Sequence, residues 1–239
     1  MAKAPKKAPK APVFKCHFCD KEYKREETVL THKCVKRDRY NDRDSRQMRE
    51  AFRIYLQFMK FNHFTMKKDV EPLMHFVKSK IFNDFYDLAG YVLQNDILER
   101  EGFITNIITT GKPVYEWMTN KTLEAWVQSV VRDEHPRRAI ERSIPALIEW
   151  AEITGNEWNS FFDNCSTERA ILWIETGKIS PWLIYVAPPT SGNKLLQRFS
   201  DTELEYVFRF IDPTYFQMKQ IRYQAACDEI RQWLEEAGL

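Results

Sequence analysis

CHFCDKEYKREETVLTHKC, residues 16–34, decides how the chain begins to fold. Two residues separate Cys16 from Cys19, a spacing that puts two thiolates on one metal ion. After twelve more, His32 offers an imidazole for a third vertex. Structural zinc takes four nitrogen or sulfur ligands in a closed tetrahedron, and Cys34 is the nearby candidate for the fourth. His32 and Cys34 lie about 200° apart round a regular helix, so a helix carrying His32 has to end or distort within residues 31–34. So short a segment buries too little surface to fold alone. Bound Zn2+ has to supply that energy, roughly 10–16 kcal/mol for structural zinc in finger peptides. The alternative for the same residues is a set of free thiols in a reduced surface loop. His17, inside the knuckle, is expected to be exposed.

Outward from this stretch the composition changes sign. Residues 1–49 carry a net charge of +8 and the remainder −6, although the whole chain is only +2. A polyanion would meet the N-terminal segment first and be repelled by the body. Residues 1–12, MAKAPKKAPKAP, present no apolar face and read as a disordered basic arm, either a solubilising tail or a loose anchor on phosphates. No apolar segment follows their lysines, so a secretory signal is not expected. Residues 13–35 form the metal module, 36–47 a basic connector, and 48–239 a helical domain. Five cysteines is an odd number, with three of them in the module and Cys165 and Cys227 isolated in apolar helical contexts. This distribution predicts a reducing, cytoplasmic compartment and one metal site rather than a disulfide framework.

The stretch resembles a C2H2-type zinc finger in a C2HC variant, with Cys16, Cys19, Tyr23, Val29 and His32 in register. The resemblance implies a ββα unit with Tyr23 and Val29 in its small core and Arg25, Glu27, Thr28 and Thr31 at the base-reading positions. It covers about 20 residues. Cys34 departs from it, because the usual fourth ligand follows the histidine after three to five intervening residues, where Lys36 to Asp38 stand. The chain is also similar to a group of bacteriophage proteins whose N-terminal finger runs through Lys/Arg residues into a helical body, and the tract GKISPW at 177–182 fits that likeness. It implies a role in phage replication, recombination or transcription, in the host bacterial cytoplasm.

Beyond the connector, apolar residues recur at helical spacing. Met48, Phe52, Tyr55 and Met59 make one amphipathic helix, and Leu123, Trp126, Val127, Val130 and Val131 another, capped by Thr119 or Asn120. Ile140, Ile144, Leu147 and Ala151 make a third, ended by Gly155 and either kinked or restarted at Pro145. Ser166 caps a short helix ending at Gly177. Ser200 and Glu203 form a capping box, and Pro213 opens a last helix running through Phe216, Tyr223, Ile230 and Ala237. That heptad spacing suits either a partner helix or packing on its own domain. Residues 103–109 and 182–187 read as short strands, and 188–193 as a loop. The fold class is mainly α, with a small ββα-type zinc finger followed by a larger helical domain. No apolar run is long enough to span a membrane.

Two function classes follow. In the first, the chain is a non-enzymatic protein that binds DNA or another nucleic acid through Lys7, Lys10, Lys15, Lys24, Arg25, Lys33, Lys36, Arg37, Arg39 and Arg43, while the acidic body meets protein partners. In the second it is an adaptor whose finger docks on another protein. Glu26 and Glu27 suit the positive end of the finger helix but repel phosphates. Catalysis is not expected: His63, His75 and His135 are scattered, no carboxylate pair stands at two-metal spacing, and the phosphate-cradling glycine motifs are absent. The tract 166–184 offers a helix-turn-helix or, more simply, a packing corner.

Overall fold

The computed structural model describes residues 13–66 and 69–239. The predicted arm at 1–12, with Lys7 and Lys10, lies outside the described residues. The chain is mainly α, about 69% helical, and among the described residues it has a single two-stranded sheet, near its start. β1 (Phe14–Lys15) pairs antiparallel with β2 (Glu22–Tyr23), and α1 (Glu26–Thr31) and α2 (Val35–Asn41) follow. Then come α3 (Arg46–Phe61), α4 (Pro72–Lys78), α5 (Phe82–Gln94) and α6 (Arg100–Thr109). The rest runs α7 (Asn120–Asp133), α8 (Pro136–Thr154), α9 (Phe161–Asn164), α10 (Thr167–Glu175), α11 (Pro181–Val186), α12 (Pro189–Gln197), α13 (Asp201–Val207), α14 (Pro213–Arg222) and α15 (Gln224–Glu236). The chain divides into two compact units, one of Met1–Asn95 with Ile108–Tyr115 and one of Asp96–Ile107 with Glu116–Leu239.

In the first unit α3 lies along α5. Met48, Ala51, Ile54, Tyr55 and Met59 of α3 are buried, and so are Phe85, Leu88, Ala89 and Val92 of α5. Tyr55 stacks near Phe76, with ring centroids 4.7 Å apart, and donates to or accepts from His75 Nδ1 at 2.7 Å.

The second unit is held by large apolar side chains: Trp150, Phe161, Phe162, Trp182, Leu183 and Phe216 are almost fully buried. Its core also holds an ion pair. The Glu134 side chain, 5% exposed, accepts from Arg142 Nη2 at 2.9 Å and from the Ser180 hydroxyl, and Arg142 donates onward to the Gly177 carbonyl. Ser143 Oγ accepts from the Ser180 amide at 2.9 Å. These bonds fix the corner between α10 and α11. The start of α11 that a helix-turn-helix would expose is buried at Pro181, Trp182, Leu183 and Ile184, so the tract is a packing corner.

Several start and stop signals read from the sequence are in place. Thr119 caps α7, Ser166 caps α10, and the Ser200–Glu203 capping box opens α13. Gly155 (φ +72°) ends α8 in the left-handed region, and α8 runs through Pro145 without restarting. Four expectations are corrected. Residues 103–109 are helical, because Phe103, Ile104, Ile107 and Ile108 fall on one buried helix stripe. Residues 182–187 form α11 and the turn after it, and an apolar run buried on all sides carries no period to separate strand from helix. Residues 188–193 enter α12 rather than a loop. There a Cβ on Gly192 would stand 2.3 Å from the Ile184 carbonyl oxygen, so only glycine lets α12 approach α11 this closely. The single last helix is two, broken at Tyr223, whose ring packs on His135 at 4.9 Å and near Trp182. Phe216 and Ile230, from the heptad pattern, are buried within their own unit.

Candidate metal centre

The two short strands set the knuckle between them. Phe14 pairs with Tyr23 and Lys15 with Glu22, which brings the chain back over residues 16–21. The Cys16 amide donates to the Lys21 carbonyl and the Asp20 amide to the Cys16 carbonyl, both at 2.9 Å. Asp20 closes this turn at φ +62°, a conformation Asp tolerates better than most residues. Its carboxylate accepts from Lys78 Nζ at 3.1 Å and lies 3.7 Å from Lys15. The Lys78 hydrogen bond holds the Asp20 carboxyl below the usual range.

The problem of placing His32 and Cys34 together is solved by ending the helix between them. α1 stops at Thr31, and His32 (ψ 146°) and Cys34 (φ −127°, ψ 95°) take extended backbone before α2 starts at Val35. In extended chain, residues two apart point to the same side, so both side chains face the knuckle. The Arg37 guanidinium stabilises this junction by donating to the carbonyls of Leu30 at 2.9 Å and His32 at 2.8 Å, two groups the finished helix leaves without partners.

The ligand atoms of Cys16, Cys19, His32 and Cys34 all lie within 4.8 Å of one another. Cys16 Sγ and Cys34 Sγ are 3.9 Å apart, and Cys19 Sγ and His32 Nε2 are 3.5 Å apart. Two sulfurs on a tetrahedral ion with ~2.3 Å bonds stand about 3.8 Å apart, and a disulfide would bring them to about 2.05 Å, so the spacing suits a metal and not a bridge. His32 Nδ1 sits 2.6 Å from the Val29 carbonyl, which fixes the proton on Nδ1 and leaves the Nε2 lone pair facing the thiols. Cys16 and Cys34 are buried, Cys19 and His32 partly so. Burial works to raise the Cys16 thiol, but the amides of Cys19 and Phe18 outweigh it and bring it down to about 7. Burial prevails at Cys34, raising its thiol against the Arg37 amide. The four residues can hold a metal ion, in the donor set of a C2HC finger.

The sequence-predicted cations divide. Lys15, Lys24, Arg25, Lys33 and Arg43 are exposed and Lys36 half-exposed. Arg37 and Arg39 are engaged elsewhere: Arg37 in the junction above, Arg39 on Asn83 Oδ1 at 2.8 Å and the Val77 carbonyl at 3.3 Å, with its guanidinium 4.0 Å over the Phe82 ring. Charge counting cannot see this, because the acceptors are carbonyls and a ring rather than carboxylates, and those of Arg39 lie some forty residues away. Phe18 against Tyr40, at 5.5 Å, and Asp20 against Lys78 complete the seating of the finger on α2 and α4. His17 is exposed, and His75 and His135 serve as a hydrogen-bond partner of Tyr55 and the N-cap of α8.

Compared with known proteins, the chain matches no family model, no curated protein and no solved structure. None of these comparisons supports the expected likeness to bacteriophage proteins. No helix among the described residues is long and apolar enough to cross a membrane.

The thiols give a direct check on the site. Burial pushes the Cys165 thiol up to about 11 and raises that of Cys227, and both side chains are shut away from solvent in the folded chain. In native protein treated with a chelator, a disulfide reagent at pH 8 is expected to titrate Cys16, Cys19 and Cys34 within minutes. Cys165 and Cys227 are expected to react only after denaturant is added. Five fast thiols without denaturant would contradict the burial, and three fast thiols without chelator would contradict metal occupancy.

Proposed function

We propose that the centre holds a structural zinc ion and that the chain is a non-enzymatic nucleic-acid-binding protein, acting on DNA in a reducing cytoplasm with protein partners. The observation that supports this reading is the set of exposed cations on the elements that carry and follow the four-residue site. Lys15, Lys24, Arg25 and Lys33 stand on the finger, and Arg43 follows α2. The first helix after it continues the charge: Arg46, Arg49 and Lys60 of α3 are exposed. At 100° per residue they fall within roughly a 60° arc opposite the buried Met48, Ala51 and Tyr55. Zinc, when bound, supplies rigidity to the strand turn and to α1; the contacts are made by the side chains. One finger reads about three base pairs, so the expected binding is dominated by phosphates and is not sequence-specific.

Titration of labelled duplex and single-stranded DNA at two salt concentrations tests this. Binding is expected to weaken steeply as salt rises, with a log–log slope of about −0.9 for each duplex phosphate neutralised. The triple variant Lys24→Glu, Arg25→Glu, Lys33→Glu is expected to bind at least ~10-fold more weakly with a shallower slope. Absence of binding to both DNAs at low salt would overturn the reading.

A second reading has its own support. Leu30 and Val35, at 69% and 64% exposure, are large apolar side chains held out on the finger, and Glu26 and Glu27 open α1. An adaptor that docks on another protein would use such a surface, and its binding would persist at high salt.

A further inference from the structure

Two surfaces of the second unit complement each other. The first is a groove of about 520 Å³ between α8 and α15, with Ile140, Ile144, Ile230 and Trp233 along its floor. Trp233 is 48% exposed, unlike the fully buried Trp150 and Trp182. Its walls are acidic: Arg137 is taken up by Glu229, while Glu141 and Glu236 have no cationic partner among the described residues. The second surface is the outer face of α14. Met218 and Ile221, at 61% and 78% exposure, sit three residues apart on one helix face. Arg222 lies beside Met218 and Lys219 further round on the same side; neither is paired with a carboxylate among the described residues, and they lie near the rings of Tyr223 and Tyr215. One surface is apolar and acidic, the other apolar and basic.

We infer that the α14 ridge of one copy docks into the α8–α15 groove of a second copy. Ile221 and Met218 cover Trp233 and the isoleucine floor, and Lys219 and Arg222 meet Glu141 and Glu236. Ridge and groove are different surfaces of the same unit, so the contact is heterologous, and each copy keeps one free end for the next. The pairing is independent of the metal centre and of nucleic acid. Burial of exposed Trp233 gives it an optical signature.

Sedimentation velocity of the full chain, from about 1 to 100 μM at low and high salt, tests the inference. The wild type is expected to associate with rising concentration and less at high salt, with a blue shift of the exposed tryptophan. Trp233→Glu removes the groove and Ile221→Glu the ridge. Each variant alone is expected to stay monomeric, and an equimolar mixture is expected to yield a 1:1 pair, because one chain keeps its ridge and the other its groove. Glu236→Lys, a change at an exposed position, serves as a second groove variant should Trp233→Glu perturb the fold. A wild type that is monomeric throughout, association unaffected by both variants, or a mixture that stays monomeric would each overturn the inference.

Discussion

Stripping the metal is expected to unfold residues 13–41 while the rest of the chain stays folded. The reason is the shortage of apolar burial in this segment: α1 and α2 contain no buried residue, and the buried side chains of the finger are the proposed ligands Cys16 and Cys34 themselves. Structural zinc contributes roughly 10–16 kcal/mol to segments of this kind, and nothing else in the segment approaches that. Cys34 is both a proposed ligand and the residue before α2, and Arg37 bonds to carbonyls whose positions depend on the finger, so loss should spread to α2. α3 and α5 have their own core and should persist. Hydrogen exchange read by mass spectrometry, with and without chelator, checks this segment by segment. Cys16→Ser should reproduce the chelated pattern. All seven tryptophans lie at or beyond Trp117, in the second unit, so tryptophan fluorescence should not change. Protection of 13–41 that survives metal removal would contradict the expectation.

The second large effect belongs to Glu134. Its carboxylate is the acceptor for the Arg142 guanidinium and for the Ser180 hydroxyl, and Glu134→Ala would leave a cation in a site that is only 19% exposed. Breaking one side of a buried pair costs about 3–5 kcal/mol, and the residual exposure of Arg142 places this case toward the lower figure. Replacing both, as in Glu134→Leu with Arg142→Met, removes the orphaned charge and should cost far less. Urea unfolding followed by tryptophan fluorescence isolates the second unit and checks both. A single variant as stable as the wild type would show that the pair contributes nothing.

Legibility in the sequence followed the range of the interactions. The four ligands were readable because metal coordination fixes ligand type and spacing within nineteen residues, and the need to end α1 before Cys34 followed from helix geometry. Caps at Thr119, Ser166 and Ser200 were readable for the same local reason. Residues 103–109 and 182–187 are β-branched and aromatic enough to suggest strands, yet position rather than composition decides their structure. Phe103, Ile104, Ile107 and Ile108 do carry a helical spacing, and Ser180–Pro181 is a helix start. The break at Tyr223 has no local marker, since it answers to His135 and Trp182, which reach it only in the folded unit. Arg37 and Arg39 show the same limit within the site. A count of charges treats them as surface cations, while the fold spends them on the Leu30 and Val77 carbonyls and the Phe82 ring.

The proposed centre is a single zinc ion held by three sulfurs and one nitrogen. X-ray absorption at the zinc edge on purified full-length chain, with metal content measured on the same sample, tests it most directly. One zinc per chain is expected, with three sulfur neighbours at about 2.3 Å and one nitrogen at about 2.0 Å. Cys34→Ser should either lose the metal or, where zinc is retained, reduce the sulfur count to two. Absence of stoichiometric metal from the wild type, or a sulfur count unchanged by that substitution, would contradict the assignment of Cys34 and with it the four-ligand centre.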